Sequence, residues 1–336
     1  MKPKAIFMGK QEPKERVYGN ETIEKLKEKL DFLSDFYTKE FIRNGDSHTE
    51  LRDVEYIFST WGMVDLTEEE IKTFLPSLKA VFYAAGTVQY FAKPFLKCGV
   101  RVFSAWAANA VPVAEYTTAQ IVLANKGFFK SSPYSSSGDR EKACREFEHY
   151  KGNYGAKVGI IGAGMIGKLV INMLKSYNIS VMVFDPFLPD KTAESLSVKK
   201  VSLETMFSEC EVVSNHLANN AQTQGMLNGT LFEKMLPYST FLNTGRGAQV
   251  VESDLIAVLK NRPDLTAILD VTYPEPPEKN SEFFTLPNCI LTPHIAGSSG
   301  EEVKRMSEYM REEFEKMTSG EAVKYEVTLK MLETMA

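Results

Sequence analysis

Short apolar runs alternate with stretches whose apolar residues recur at helical spacing. Residues 5–9, 56–60 and 80–84 are apolar runs of strand length. Between them, residues 22–30 carry an amphipathic helical pattern. Thr67 ahead of Glu68, Glu69 and Glu70 marks a helix start, with a hydroxyl N-cap and an acidic first turn. One long helix is expected over 111–126, with Pro112 tolerated in its first turn. The polar, turn-rich stretch 131–139 is expected to be an exposed arm or loop. A second series of strands follows near 157–161, 181–185, 211–215, 239–242, 266–270 and 289–292, and residues 300–317 have the pattern of an amphipathic helix. Strands that alternate with helices build parallel βα units, so the fold class is α/β.

Length and composition refine this picture. A chain of 336 residues exceeds the roughly 250–300 at which one core stops growing, which implies two domains. Apolar residues at 43% and charged ones at 25% are ordinary for a globular protein. A net charge of −5 without a basic block offers no footprint for nucleic acid or an anionic membrane. No apolar run reaches the roughly 18 residues of a membrane span, and the first residues resemble neither a secretory signal nor a transit peptide. Cys98, Cys144, Cys210 and Cys289 are scattered, and the four histidines equally so. No metal site is expected, and the cysteines suit reduced thiols in a cytoplasmic protein.

The most informative stretch is Gly162-Ala163-Gly164-Met165-Ile166-Gly167, after the apolar run 157–161 and ahead of a helix with Ile166, Val170 and Leu174 on one face. Gly162 permits the tight turn, Gly164 lets backbone approach a pyrophosphate, and Gly167 lets helix pack closely on strand. The helix N-terminus then presents N–H groups to phosphates. Asp185 ends the next strand, 18 residues past Gly167. There a carboxylate can accept from both ribose hydroxyls and repels a 2′-phosphate, so NAD is preferred to NADP. The cofactor domain is therefore a Rossmann-type doubly wound parallel sheet.

Three later strands end in polar residues: Asn243-Thr244-Gly245-Arg246-Gly247, Asp270-Val271-Thr272-Tyr273-Pro274-Glu275, and Thr292-Pro293-His294-Ile295-Ala296-Gly297. Carboxyl ends of strands line the ligand crevice of such a sheet, so Arg246, Glu275 and His294 should converge. Arginine grips a carboxylate bidentately, and a His–Glu pair is a general acid/base. His216, also at a strand end, is expected to be structural.

In these segments, and in Ala85-Gly86 and 109–115, the chain resembles the D-2-hydroxyacid dehydrogenase family. The resemblance implies that His294 protonates the carbonyl oxygen of a 2-oxo acid as hydride arrives from NADH, that Glu275 keeps His294 protonated, and that Arg246 binds and polarises the substrate. It implies that amides of Gly86, Thr87 and Val88 hold the substrate carboxylate. Asp270 would bond the nicotinamide carboxamide, with Thr244 and Gly245 beside the ring. Met165 and Ile166 would give amides to the pyrophosphate, Leu217 would run beside the adenosine, and Arg246, His294 and Gly297 would also border the cofactor.

It further implies a discontinuous, flavodoxin-like cap or substrate domain, 1–112 with 299–336, around an NAD-binding domain, 113–298. The arm at 128–152 would form a homodimer. Three positions depart from the family: Met165 stands for Arg, Gly245 for Ala, which should loosen the turn, and Gln89 for Asp. Trp61 and Trp106 are candidates for the cap side of the crevice. No arginine stands within 58–62, which disfavours a phosphorylated substrate and favours glyoxylate, hydroxypyruvate or a larger apolar 2-oxo acid. Glu275 argues against formate chemistry. Phosphonate dehydrogenases on the same fold, and dinucleotide-sensing corepressors or scaffolds without turnover, are the rival readings.

Overall fold

The computed structural model of the protein describes residues 2–33, 36–44 and 48–333. The chain divides into two compact units, residues 1–109 with 298–336 and residues 110–297. The divisions fall three residues and one residue earlier than the boundaries read from the sequence.

The first unit contains β1 (Lys4–Met8), α1 (Gln11–Lys27), β2 (Asp31–Phe32), α2 (Lys39–Asn44), α3 (His48–Leu51), β3 (Val54–Ser59), α4 (Glu68–Phe74), β4 (Ala80–Tyr83), α5 (Ala92–Lys97), β5 (Arg101–Ser104) and the start of α6 (Trp106–Asn125). Its sheet has the order β13-β5-β4-β3-β1-β2, where β13 (Glu326–Val327), the one antiparallel strand, follows the C-terminal helix α14 (Lys304–Ser319). The alternating strand period sorts side chains by face. Ile6, Ile57, Val81 and Val102 lie in register on one face; Phe7, Phe58, Phe82 and Phe103 lie in register on the other. The aromatic row stacks, with centroids 5.1 Å apart for Phe58–Phe82 and 4.8 Å for Phe82–Phe103, and Phe314 of α14 meets it edge-on.

The second unit continues with α7 (Phe128–Ser136), α8 (Arg140–Phe147), β6 (Lys157–Ile161), α9 (Met165–Leu174), β7 (Ser180–Phe184), α10 (Asp190–Leu196), β8 (Lys199–Lys200), α11 (Leu203–Glu209), β9 (Val212–Asn215), α12 (Gly229–Phe232), β10 (Thr240–Asn243), α13 (Glu252–Asn261), β11 (Thr266–Leu269) and β12 (Cys289–Leu291). Its seven strands are all parallel, in the order β12-β11-β10-β9-β6-β7-β8. Apolar layers cover both faces, Val158, Ile160, Leu242 and Ile268 on one side and Ile161, Val213, Phe241 and Leu269 on the other. The order reverses between β6 and β9, which places the glycine loop and His216 side by side.

Three local expectations are corrected. Residues 131–136 are helix, not loop; the Ser131 hydroxyl is accommodated there by donating to the Gly127 carbonyl at 2.9 Å. The long helix begins at Trp106, so Pro112 lies in its interior. The first helix begins at Gln11, well before residue 22; Gly19, at φ +56°, kinks it and breaks the pattern read from the sequence.

Candidate active site

Gly162 leaves β6 at φ +88°, and a Cβ there would lie 3.0 Å from the His216 carbonyl oxygen. A Cβ on Gly167 would lie 2.1 Å from the Gly162 carbonyl oxygen, so helix and loop approach as only glycine allows. A Cβ on Gly164 would meet nothing within 4 Å. That open side lies at the start of α9, whose N-cap Gly164 has no side chain to bond the amides of Met165 and Ile166. A phosphate suits that combination of free space and first-turn donors. Asp185 accepts from Ala163 N and Phe187 N, each at 2.8 Å, which fixes its carboxylate beside the loop.

At the ends of β10, β11 and β12 the predicted catalytic groups come together. His294 Nδ1 lies 2.5 Å from Glu275 Oε1. The His294 backbone is left-handed at φ +56°, a conformation that costs a non-glycine residue free energy unless it is held. Asp270 holds it. Its carboxylate, 2% exposed, accepts from Thr292 Oγ1 at 2.6 Å, Ile295 N at 2.8 Å and Ala296 N at 2.9 Å, while its carbonyl accepts from His294 N. The sequence suggested a nicotinamide contact for Asp270; the structure places its carboxylate beneath the loop that presents His294. Gly297 closes that loop as the last residue of the unit.

Arg246 is half-buried. Burial pushes its pKa down while the nearby Glu275 charge works in the other direction, and an arginine in that balance stays charged. Both neighbours are closely enclosed glycines. A Cβ on Gly247 would lie 2.0 Å from the Thr272 carbonyl carbon, so the Arg246 turn crosses hard against the segment leading to Glu275. A Cβ on Gly245 would lie 2.9 Å from both Asn215 Nδ2 and Gln249 Oε1. A methyl at 245 would therefore have to displace one of these two side-chain amides.

Beneath it lies a buried amide network that sequence reading missed. Asn215 Nδ2 donates to Asn243 Oδ1 at 3.0 Å and to Gln249 Oε1 at 2.6 Å. Gln249 Oε1 also accepts from Arg246 N at 3.1 Å, and Asn243 Nδ2 donates to the Arg246 carbonyl at 3.2 Å. Both sides of the Arg246 backbone are thus held by side chains that are fully buried. The signal in the sequence is Asn215, a polar residue ending an apolar strand. The same network takes both backbone groups of Leu217, through Asn215 Oδ1 and Gln249 Nε2. His216 bonds Ser214 Oγ at 2.9 Å and lies 3.4 Å from Thr244 Oγ1. Burial pushes its pKa down, keeping it neutral, as a structural role requires. Among the described residues no group of three His, Cys, Asp or Glu side chains is placed to hold a metal.

In the first unit, the carbonyls of Ala85 and Gly86 both accept from Ser104 Oγ, at 2.9 and 2.7 Å. In a trans peptide the following N–H points the opposite way, so Gly86 and Thr87 turn their amides outward. Val88 is fully buried and anchors the loop. Trp106 packs edge-on against Tyr325, a core contact. Gln89 Nε2 donates to the Leu332 carbonyl at 2.7 Å.

Residues 120–296, more than half of the chain, match the family model described as D-isomer specific 2-hydroxyacid dehydrogenase, NAD binding domain. The chain is 31% identical over 209 residues to the (S)-sulfolactate dehydrogenase of Chromohalobacter salexigens, covering 62% of this chain and 67% of that protein. It is 28% identical over 235 residues to the D-3-phosphoglycerate dehydrogenase of Archaeoglobus fulgidus, covering 70% of this chain but only 44% of that protein. The fold is that of the D-mandelate dehydrogenase of Rhodotorula graminis, at a TM-score of 0.80 and 20% identity, over 97% of this chain and 98% of that one. With its glycine loop, strand-end Arg246 and His294–Glu275 pair inside or at the edge of the matched segment, the chain belongs to the D-isomer specific 2-hydroxyacid dehydrogenase family.

Proposed function

We propose that the protein is an NAD-dependent D-2-hydroxyacid dehydrogenase that interconverts a small 2-oxo acid and its 2-hydroxy acid. The observation that carries the reading is the 2.5 Å contact between His294 Nδ1 and Glu275, which leaves Nε2 as the nitrogen that exchanges a proton with substrate. NADH, when bound, supplies the hydride. The chain's own groups do the rest: Glu275 stabilises imidazolium, Nε2 gives its proton to the carbonyl oxygen, and the Arg246 guanidinium neutralises charge on the substrate.

Loss of NADH absorbance across a panel of 2-oxo acids tests this. Turnover with at least one is expected; tight NADH binding with none returns the chain to the non-catalytic, dinucleotide-sensing reading. From the ribose argument, Asp185→Ala should narrow the preference for NADH over NADPH by about 10-fold, the effect of removing one like-charge contact of about 1.4 kcal/mol. It should also weaken NADH, because Ala163 N loses its acceptor. An unaltered ratio of dissociation constants would contradict the role.

Two features support a cytoplasmic homodimer. All four cysteines are free. The segment with α7 and α8 exposes Phe128 at 45% and Phe147 at 47%, apolar surface of the kind a second copy covers. No helix among the described residues is long and apolar enough to cross a membrane.

A further inference from the structure

Two neighbouring side chains of α6 reach the two turns that carry the chemistry. The Tyr116 hydroxyl lies 3.2 Å from Thr292 Oγ1, and Thr117 Oγ1 lies 3.2 Å from Thr244 Oγ1. Thr292 stands two residues before His294, and Thr244 two residues before Arg246. All six residues belong to the second unit. Successive residues of a helix point about 100° apart but differ by only about 1.5 Å in height. A single level of α6 therefore holds the ends of two strands, β10 and β12.

The first contact has a fixed direction. Thr292 Oγ1 donates to Asp270 Oδ1 at 2.6 Å, and a carboxylate oxygen only accepts. The Thr292 proton is committed, so Tyr116 is the donor between the two hydroxyls. Tyr116 thus heads a chain that ends on the carboxylate to which Ile295 N and Ala296 N are bonded. Those bonds hold His294 in its left-handed conformation. The second contact is buried, with Thr117 0% and Thr244 6% exposed. Thr117 has no surface to offer a ligand, so its influence passes through Thr244. Thr244 Oγ1 also lies 3.4 Å from His216 Nδ1, and a row of polar side chains runs from α6 through Thr244 and His216 to Ser214 of β9.

We propose that Tyr116 and Thr117 are positioning residues for the reduction of the 2-oxo acid. Tyr116 sets the His294 loop and Thr117 sets the Arg246 turn, both against one helix. This rests on the dehydrogenase reading for the roles of His294 and Arg246.

Tyr116→Phe and Thr117→Val each remove one hydroxyl and keep the shape of the side chain. The kinetics are measured with glyoxylate, hydroxypyruvate, pyruvate or phenylglyoxylate, whichever the wild type reduces fastest. His294 acts in proton transfer, so Tyr116→Phe should lower kcat by about 3–10-fold, the range of one neutral hydrogen bond, and leave KM within about twofold. Arg246 grips the substrate, so Thr117→Val should raise KM by a similar factor and spare kcat. Thr117→Ser, which keeps the hydroxyl, should restore most of that loss. In a His294→Ala background Tyr116→Phe should cost nothing further, as a residue acting through His294 requires. Amide hydrogen exchange reads the same ties without turnover. It should quicken about 3–10-fold at Ile295 and Ala296 in Tyr116→Phe, and at Gly245 and Arg246 in Thr117→Val, while the amides of β6 keep their rates. Unaltered kinetics, or an additive loss in the His294→Ala background, overturns the proposal. So does exchange that quickens throughout the unit together with a fall in melting temperature, which marks hydroxyls that serve only the fold. If the wild type reduces no 2-oxo acid, the dehydrogenase reading fails, and exchange at these four amides alone decides whether the hydroxyls hold the two turns.

Discussion

Replacing His294 by alanine should lower kcat by about 10²–10⁴-fold, the usual range for a general acid/base, while the NADH dissociation constant stays within about twofold. The separation follows from the geometry. Among the described residues the ring has no bond to the glycine loop or to Asp185, which are bonded to each other through Ala163 N. Its Nδ1 is committed to Glu275, so truncation removes the proton donor and leaves a carboxylate facing a void. Glu275→Gln should cost less than His294→Ala, because the imidazole remains but loses the charge that stabilises its protonated form. Stopped-flow measurement of NADH oxidation, with NADH binding by fluorescence, checks both. An unchanged kcat in His294→Ala would remove this residue from the chemistry. Intact folding can be judged from the melting temperature, since the loop is held chiefly by Asp270.

What could be read from the sequence was whatever short-range geometry demands. Gly162 and Gly167 are legible because a left-handed turn and a 2.1 Å approach admit no side chain. The order of Arg246, Glu275 and His294 is legible because parallel strands deliver their ends to one edge. Asp270 was seen as functional, but its bonds to the His294 loop were not foreseen. Nothing in the local sequence says that its carboxylate will bond Thr292, Ile295 and Ala296. The amide network was missed altogether, because Asn215 and Gln249 are 34 residues apart and meet only once β9 and β10 pair. Composition misled at 131–136, where serines usually mark a break but here lie within a helix, Ser131 bonding back to the Gly127 carbonyl.

The second large effect is expected from the smallest change, Gly245→Ala. The added methyl would sit 2.9 Å from Asn215 Nδ2 and from Gln249 Oε1, closer than a Cβ is tolerated. Neither atom can swing aside cheaply. Asn215 Nδ2 is pinned between Asn243 Oδ1 and Gln249 Oε1, and both residues are fully buried. Gln249 Oε1 is also the acceptor for Arg246 N, so displacing it moves the arginine's backbone. A shift of about 1 Å at a positioned group can cost about 10²-fold in rate, and that is the expected loss in kcat/KM for the 2-oxo acid. NADH affinity should change far less, since the glycine loop lies on a different turn. Gln249→Leu, which removes the acceptor instead of pushing it, should move kcat/KM the same way. Because both act through one network, their effects combined in a single protein should fall short of additive. If Gly245→Ala retains wild-type kcat/KM, Arg246 is not positioned by these amides. If instead NADH binding and the melting temperature collapse together with activity, the network serves the fold of the unit rather than the placement of the arginine.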